Sequence, residues 1–139
     1  MTKYMLIMRG TDESMAKMME TPFEEMLETM GRFNEELIRA GVLVAAEGLD
    51  DPAAGVVVHF DGEAPVVTDG PYGETKELFG GFYLLDVASK EEAVEWATRL
   101  PAGAGSKCEI RRVPTIDEFP QDTEWIVKER AWRERTGQL

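Results

Sequence analysis

Two short runs that are apolar at every position limit the fold more than any other feature of this sequence. They are Tyr4–Met8 and Phe82–Leu85, and glycines such as Gly10 and Gly81 lie close beside them. An unbroken apolar run of this length, bounded by turn residues, is typical of a strand that is buried on both faces. We therefore expect two central strands in a sheet whose two faces are both covered.

The clearest helix pattern lies between the first two predicted strands. Its apolar residues recur at three- and four-residue spacing, which predicts one stripe along a helix: Phe23, Met26, Leu27, Met30, Phe33, Leu37 and Ile38. Thr21, Pro22 and Glu24 predict a capping box at its start, and Gly41 predicts a left-handed end. Ser89 begins a second helix pattern that Pro101 ends.

The remaining segments complete an alternating order of strands and helices. Val42–Glu47 predicts a strand, and Val56–Phe60 with Pro65–Thr68 predicts a hairpin around Asp-Gly. A final strand surrounds Ile110, and a helix follows from Asp122. This order predicts an α+β fold: a ferredoxin-like split βαβ sheet with an inserted hairpin and a C-terminal helix. We expect one domain over residues 1–139, in which 122–137 are a helical extension.

Helices cover only one face of such a sheet, so the apolar residues on the other face need a different cover. A second copy of the chain is the simplest one, and we expect a homodimer.

Composition excludes several classes of function. The 139 residues include 15 Lys and Arg against 27 Asp and Glu, a net charge of −12, so we expect no binding to nucleic-acid phosphates. The apolar runs are far shorter than the roughly 20 residues that span a bilayer. One cysteine cannot form an internal disulfide, which favours the cytoplasm. One histidine and one cysteine predict neither a zinc site nor a Cys–His pair, and we expect no cofactor.

A glycine-rich, charged segment carries a family resemblance. Asp69–Glu77 reads DGPYGETKE and is followed by Gly80–Tyr83. It resembles the signature of the DGPF branch of the YCII-related proteins, with Tyr72 where the branch name has phenylalanine. The resemblance extends over most of Lys3–Pro114. It implies a dimeric, ferredoxin-like α+β barrel.

The resemblance implies less about activity. Members of the branch are similar to proteins encoded beside, or fused to, extracytoplasmic-function sigma factors, so it suggests such a sigma factor as a partner. Better-understood YCII relatives are thought to use a histidine and an aspartate. Counted back from Gly41, those positions hold Met30 and Arg39 here, and we do not carry that chemistry over.

The Asp69–Glu77 loop is either a simple turn or a site. Asp-Gly-Pro alone suffices for a turn, but the charged and aromatic residues after it are not needed for one. Asp69 and Glu74 are candidate catalytic residues, because a carboxylate in a closed cleft can have a raised pKa and act as a base. The residues of the loop that we expect to bind a ligand are Gly70, Pro71, Tyr72, Lys76 and Glu77.

Four positions outside the loop have two interpretations each. Glu47 could join Asp69 as a pair of catalytic carboxylates, or lie at the edge of the sheet. Arg9 could bind an anionic ligand or form a structural ion pair. His59 is a ligand-binding candidate only through the general aptitude of histidine, and Cys108 fits the core.

The methionines have two interpretations as well. All eight lie in the first 30 residues. Met15, Met18 and Met19 precede the first predicted helix, and they either fill the core or form a mobile flap over an apolar pocket.

Two functions remain open. The first is a cytoplasmic homodimer that binds a small organic molecule near the Asp-Gly-Pro loop and moves a proton with a carboxylate. The second is a non-catalytic accessory or regulatory protein that acts through protein contacts, including contacts with a sigma factor.

Overall fold

The computed structural model describes residues 1–70 and 78–139. It has a mixed α+β architecture with a four-stranded antiparallel sheet, a separate two-stranded sheet and four helices. Short 3₁₀ turns lie at Pro52–Ala54 and Ile116–Glu118. In chain order the elements are β1 (Thr2–Gly10), α1 (Asp12–Met19), α2 (Phe23–Arg39), β2 (Leu43–Gly48), β3 (Val56–His59), β4 (Val66–Asp69), β5 (Leu78–Val87), α3 (Lys90–Thr98), β6 (Lys107–Arg112) and α4 (Glu124–Thr136).

The larger sheet has the strand order β2-β5-β1-β6, and each neighbouring pair is antiparallel. Strands β1 and β2 are therefore parallel to each other but separated by β5. Strands β5 and β6 are likewise parallel and separated by β1. This is the split βαβ arrangement. The prediction of an α+β sheet of this kind is confirmed, and α2 and α3 make the two crossovers.

One face of this sheet forms the core. Leu6 and Leu85 are fully buried on neighbouring strands, and Leu37 of α2 is fully buried against them. The ring of Phe33 packs edge-on against Tyr83, with ring centres 5.6 Å apart, and against Trp96 at 6.4 Å. Helices α2 and α3 therefore cover this face through a continuous apolar core.

The opposite face, here called the open face, is less covered within one chain. Its apolar residues alternate with the core residues along β1 and β5 and are only half-buried: Met5, Ile7, Phe82 and Leu84. Within one chain this face is therefore only half-buried, and its coverage by a second copy stays a prediction. Because side chains alternate along a strand, the helices on one side can cover only every second residue.

The start of α2 also differs from its prediction. Pro22 is the N-cap, and no side chain makes a capping hydrogen bond there, so the expected capping box with Thr21 does not form. The left-handed end is confirmed, since Gly41 has φ of +69°. Ser89 also caps α3 as predicted, because its hydroxyl accepts a hydrogen bond from the Glu92 amide at 3.1 Å.

The hairpin forms as predicted but stands apart from the larger sheet. β3 pairs with β4 from Val56 with Asp69 to His59 with Val66. In the part of the chain that the structure describes, this ribbon forms a sheet of its own.

Helix α4 is held at the β6 end of the sheet by polar contacts. Arg112 at the end of β6 makes two hydrogen bonds of 2.8 Å to the carboxylate of Glu118. Arg130 of α4 pairs with Asp117 at 2.6 Å and also contacts Gln121. None of the residues of α4 is fully buried, and Ile126 is half-buried.

Candidate functional site

A cleft of about 300 Å³ lies between α1, α2 and the loop that leads to β6. We call it the methionine cleft, because Met18, Met26 and Met30 line it from two helices. The complete lining is Ser14, Lys17, Met18, Thr21, Glu25, Met26, Thr29, Met30, Pro101, Ala102, Gly103 and Ala104. Its volume is close to the lower end of the range of small-molecule sites.

The wall formed by α1 is fixed at its first turn. The hydroxyl of Thr11 accepts a hydrogen bond from the Ser14 amide at 3.1 Å, and the hydroxyl of Ser14 accepts one from the Thr11 amide at 2.8 Å. This reciprocal capping box places Ser14 where it is only 3% exposed. A Cβ on Gly10 would lie 2.8 Å from the Ser14 hydroxyl, so a larger residue there would require the Ser14 side chain to shift.

The interior of the cleft combines an adaptable apolar wall with a polar rim. Methionine side chains are flexible and polarizable, so they fit ligands of different shapes. Lys17 lies on the rim, where its ammonium is 3.9 Å from Glu13. The Thr29 hydroxyl donates to the backbone oxygen of Glu25 at 2.9 Å. Such a cleft suits a mainly apolar molecule with one polar or anionic end.

The buried hydroxyl in this cleft is not a nucleophile. Ser14 donates its hydroxyl proton to the backbone oxygen of Thr11 at 3.0 Å, while its hydroxyl oxygen accepts a hydrogen bond from the Thr11 amide. Activation of a serine requires a base within hydrogen-bonding distance, and here the proton is already committed to the helix cap. The contacts of Ser14 support binding rather than covalent chemistry.

The cysteine is also unsuited to nucleophilic catalysis. Cys108 of β6 is half-buried and packs against the core. Burial raises the pKa of its thiol to about 11, so the thiol stays protonated at neutral pH. A reactive cysteine needs the opposite shift, and the interpretation of Cys108 as a core residue agrees with this environment.

A second, more open groove lies between α2 and α3. It is lined by Glu28, Thr29, Arg32, Phe33, Glu36, Arg99 and Pro101. Its charges are already matched: Arg32 pairs with Glu28, and Arg99 pairs with Glu36 at 3.4 Å. The guanidinium of Arg99 also lies 3.8 Å above the ring of Trp96. The methionine cleft is the better candidate site because it is more enclosed and three adaptable methionine side chains line it.

The two described catalytic candidates lie in different sheets. Glu47 is exposed on β2, paired with Phe82 of the larger sheet. Asp69 is exposed at the end of β4, paired with Val56 of the hairpin. The third candidate, Glu74, lies outside the described residues. The pairing of Glu47 with Asp69 as catalytic carboxylates therefore stays a prediction.

The ligand-binding candidates are placed as follows. Arg9 at the end of β1 donates a hydrogen bond to Glu109 at 2.9 Å, which is a structural ion pair on the open face. The Nε2 atom of His59 lies 2.8 Å from the hydroxyl of Thr68 across the hairpin. The amide of Gly70 donates to the oxygen of Gly55 at 3.0 Å. Four further candidates lie outside the described residues: Pro71, Tyr72, Lys76 and Glu77.

The cleft and the start of β5 lie at the same end of the sheet. Gly10 of β1 pairs with Leu78 at the start of β5. A Cβ on Gly80 would lie 3.6 Å from the terminal methyl of Met15 on α1. The described start of β5 is therefore a neighbour of α1, and residues 71–77, which immediately precede it in the chain, lie outside the described residues.

The sequence interpretation missed helix α1 and therefore the complete cleft. The sequence analysis predicts no helix before α2, although Thr11 and Ser14 have the spacing of an N-cap and its partner three residues later. With α1 recognised, Met15, Met18 and Met19 fall on a helix. Nothing in the sequence places the loop at 101–104 beside it, since that contact depends on the path from α3 to β6.

Two kinds of feature are absent from the described residues. Within residues 1–70 and 78–139, no helix has the length and apolar character needed to cross a membrane. In the same ranges, no three His, Cys, Asp or Glu side chains are grouped in a way that could hold a metal ion.

Comparison with known proteins identifies the family. An uncharacterized protein of Rhizobium meliloti (strain 1021) is 37% identical over 78 residues, which is 55% of this chain. The alignment spans 62% of that protein, less than two thirds of its length. The YCII-related domain matches residues 2–117, from β1 through the 3₁₀ turn that follows β6. The match covers most of the chain, and the chain therefore belongs to the YCII-related family.

Proposed function

We propose that this chain is a small-molecule-binding protein whose ligand lies in the methionine cleft. The observation that carries the proposal is the lining itself, three methionines facing a polar rim that includes Lys17 and Thr29. The ligand class that fits is a small organic molecule with an apolar body and a single polar or anionic end. Membership of the DGPF branch and a cytoplasmic location belong to the same proposal and rest on the sequence.

The signature loop extends this proposal. It leads directly into β5, whose first residues lie beside α1. We propose that its candidate binding residues contact the same ligand and that Asp69 or Glu74 transfers a proton to or from it. Glu47 is the third carboxylate in that proposal.

A thermal-shift screen of small aromatic and aliphatic carboxylates, alcohols and amides tests ligand binding. A ligand at about 100 times its Kd stabilises the native state by about 2.7 kcal/mol, which raises Tm clearly. The blocking variant is Ala102→Trp, which places an indole at the mouth of the cleft. The matched control is Ala64→Trp, in the exposed hairpin turn.

We expect a compound that raises Tm in the native chain and in Ala64→Trp but not in Ala102→Trp. A compound that stabilises all three proteins equally binds elsewhere and contradicts the cleft assignment. A screen without any stabilising compound also counts against the proposal.

The same proposal includes a dimer. The half-buried residues Met5, Ile7, Phe82 and Leu84 form an apolar centre on the open face. Packing two such faces together forms the dimeric barrel that the family resemblance implies. Sedimentation of Leu84→Glu should give a monomer, because a charge at this centre would be buried unpaired. The control Val94→Glu, at an exposed position of α3, should remain a dimer.

A second candidate function is a non-catalytic accessory protein that binds an extracytoplasmic-function sigma factor. The exposed Trp125 and Trp132 of α4 favour it, because tryptophan is enriched at the centres of protein interfaces. The net charge of −12 favours a protein partner over a nucleic acid. Size-exclusion chromatography with a purified sigma factor from the same genome tests it: co-elution supports this function, and separate elution at micromolar concentration removes it.

A further inference from the structure

The methionine cleft borders directly on the groove between α2 and α3. This groove has a volume of about 580 Å³, and we call it the α2–α3 groove. Thr29 of α2 and Pro101 after α3 line both cavities. Both side chains are compact, and the Thr29 hydroxyl is bonded back to the helix at Glu25. The boundary between the cavities is therefore a low ridge, and together they form one furrow along α2.

The two walls of this furrow match in order. On α2, residues within 21–30 line the cleft and residues within 28–36 line the groove. On the opposite wall, 102–104 line the cleft, Arg99 lines the groove and Pro101 lies between them. The segment after α3 thus follows α2 from one cavity to the other, so a single elongated molecule can lie along both.

The furrow is long enough for an apolar chain with a charged head group. Met26 in the cleft and Arg32 in the groove are six residues apart on α2, which separates them by roughly 9 Å along the helix axis. Thr29 lies midway and on the same half of the helix, at 100° per residue. A molecule whose apolar end contacts the methionines can therefore reach the charged groups of the groove with its other end.

The α2–α3 groove offers both signs of charge to such a head group. The Nη1 atom of Arg99 and the Oε2 atom of Glu36 lie 3.4 Å apart across it, which is longer than the usual N–H···O distance of about 2.7–3.2 Å. Both side chains are about half-exposed. Because exposed ion pairs contribute little to stability, these two groups can exchange each other for a ligand at low cost.

Arg99 is oriented to bind a carboxylate. Its guanidinium lies 3.8 Å from the centre of the Trp96 ring, and this cation–π contact orients the guanidinium plane without using its N–H groups. Among the described residues, the Arg99 side chain makes one hydrogen bond, to Glu36. A guanidinium has five N–H donors, so donors remain for a two-point contact with a ligand carboxylate.

A head group with both signs of charge fits the groove better than a simple anion. Two arginines and two glutamates line the groove: Arg32, Arg99, Glu28 and Glu36. An anion alone would upset this balance, and the net charge of −12 on the chain would also repel it. An ammonium group beside the carboxylate keeps the balance, because it replaces Arg99 as the partner of Glu36. An α-amino acid carries both groups on one carbon.

We propose that the furrow binds an α-amino acid with a long apolar side chain. Its carboxylate contacts Arg99, its ammonium contacts Glu36, and its side chain crosses Thr29 into the methionine cleft. This inference rests on the proposed function, because it supplies the head group of the molecule that lies in the cleft.

Three compounds with the same chain length test the head group. They are 2-aminooctanoate, with both charges, octanoate, with the negative charge alone, and octylamine, with the positive charge alone. Isothermal titration calorimetry with the full-length chain gives the Kd of each. We expect 2-aminooctanoate to bind about ten-fold more tightly than either of the others, because each of them lacks one charge-assisted contact. If either binds as tightly as 2-aminooctanoate, or if 2-aminooctanoate does not bind, the proposal is wrong.

Arg99→Gln and Glu36→Gln separate the two head-group contacts. Each should weaken the binding of 2-aminooctanoate about ten-fold. Arg99→Gln should leave the Kd of octylamine within about two-fold, and Glu36→Gln should do the same for octanoate. The matched controls are Arg135→Gln and Glu95→Gln, at exposed positions of α4 and α3, and circular dichroism confirms that every variant is folded. If a control weakens 2-aminooctanoate as much as its partner variant, the proposal is overturned.

Ala102→Trp and the uncharged octan-1-ol separate this inference from the proposed function. Suppose that octanol binds the native chain but not Ala102→Trp, and that 2-aminooctanoate binds no more tightly than octanol. The cleft assignment then stands and this inference fails. If 2-aminooctanoate instead binds Ala102→Trp as tightly as the native chain, but Arg99→Gln more weakly, the groove acts without the cleft. That result contradicts the single furrow and the cleft assignment together.

Discussion

The phenol of Tyr83 donates a hydrogen bond of 2.8 Å to the side-chain oxygen of Asn34, and this contact joins the middle of β5 to α2. Tyr83 belongs to the core face, where its ring also meets Phe33 edge-on. Burial raises the pKa of its phenol, so the group is a neutral donor throughout the physiological range. The bond fixes α2 over the sheet and thereby sets the position of the wall that carries Met26 and Met30.

Tyr83→Phe should remove this hydrogen bond while it keeps the ring contact with Phe33. Asn34 is half-buried, so water can satisfy part of its amide. We expect a loss of about 1 kcal/mol in the free energy of unfolding, which is typical of one hydrogen bond. Urea denaturation measures it. No loss at all would show that the bond does not contribute to the stability of the helix–sheet contact.

Leu85→Ala should be much more costly than the same change at an exposed position. Leu85 is fully buried between the sheet and the helices. Truncation there leaves a cavity and lowers the free energy of unfolding by roughly 2.7–5 kcal/mol. The control is Leu49→Ala, whose side chain is exposed after β2 and should cost less than about 1 kcal/mol. Chemical denaturation of both variants gives the difference, and equal losses would contradict the core assignment.

Gly81→Ala should disturb the pairing of β5 with β2. Gly81 has φ of +156°, and a Cβ there would lie 2.6 Å from the backbone oxygen of Glu47 on β2. Because that oxygen belongs to a paired strand, the strands must separate. We expect a loss of more than about 2 kcal/mol, as in overpacked sites. Its partner Gly48 has no neighbour within 4 Å of an added Cβ, so Gly48→Ala is the control and should cost less than half as much.

The ion pair of Arg112 with Glu118 predicts a pH dependence of stability. The hydrogen bonds from Arg112 lower the pKa of Glu118 from 4.5 to about 2. A carboxylate whose pKa is lowered in the folded chain stabilises the fold at pH values above its pKa in the unfolded chain. This contribution is complete above pH 4.5 and is lost as the pH falls toward 2.

Glu118→Gln should therefore reduce the free energy of unfolding at pH 7 by a small amount. It should also make this free energy fall less steeply as the pH drops from 4.5 toward 2. Because the pair is exposed, the effect at high salt should be smaller still. Thermal unfolding between pH 2 and pH 7 measures it. An unchanged acid limb would show that other carboxylates control acid unfolding.

Much of the fold follows from local sequence patterns. The predicted hairpin, the Ser89 cap and the Gly41 helix end appear in the structure, because each depends on residues close together in the chain. The split βαβ order also appears, because the alternation of strands and helices along the chain restricts how the strands can pair. The Thr21 capping box fails because Pro22 itself takes the N-cap position. The wide apolar stripe of α2 is misleading for a different reason. Only Phe33 and Leu37 of that helix are fully covered, and the sequence does not show how much of a helix its sheet can cover.

The candidate site could not be predicted to the same extent. The methionine cleft joins α1, α2 and the loop at 101–104, which are far apart in sequence, and their approach depends on the crossover from α3 to β6. Individual residues indicate only part of the site. The cluster of methionines before residue 31 pointed to an adaptable surface, while Glu47 and Asp69 have no sequence relation that indicates whether they meet.

The most direct test of the central proposal is methyl NMR of the methionines with a stabilising compound from the thermal-shift screen. The chain has eight methionines, so eight terminal methyl signals can be labelled and assigned through single Met→Leu variants. A ligand in the cleft should shift the signals of Met18, Met26 and Met30 in a saturable titration. Met5, on the open face, and Met1 should stay unchanged. If the compound shifts Met5 but not Met26 and Met30, the ligand lies on the sheet face and the cleft is not the site.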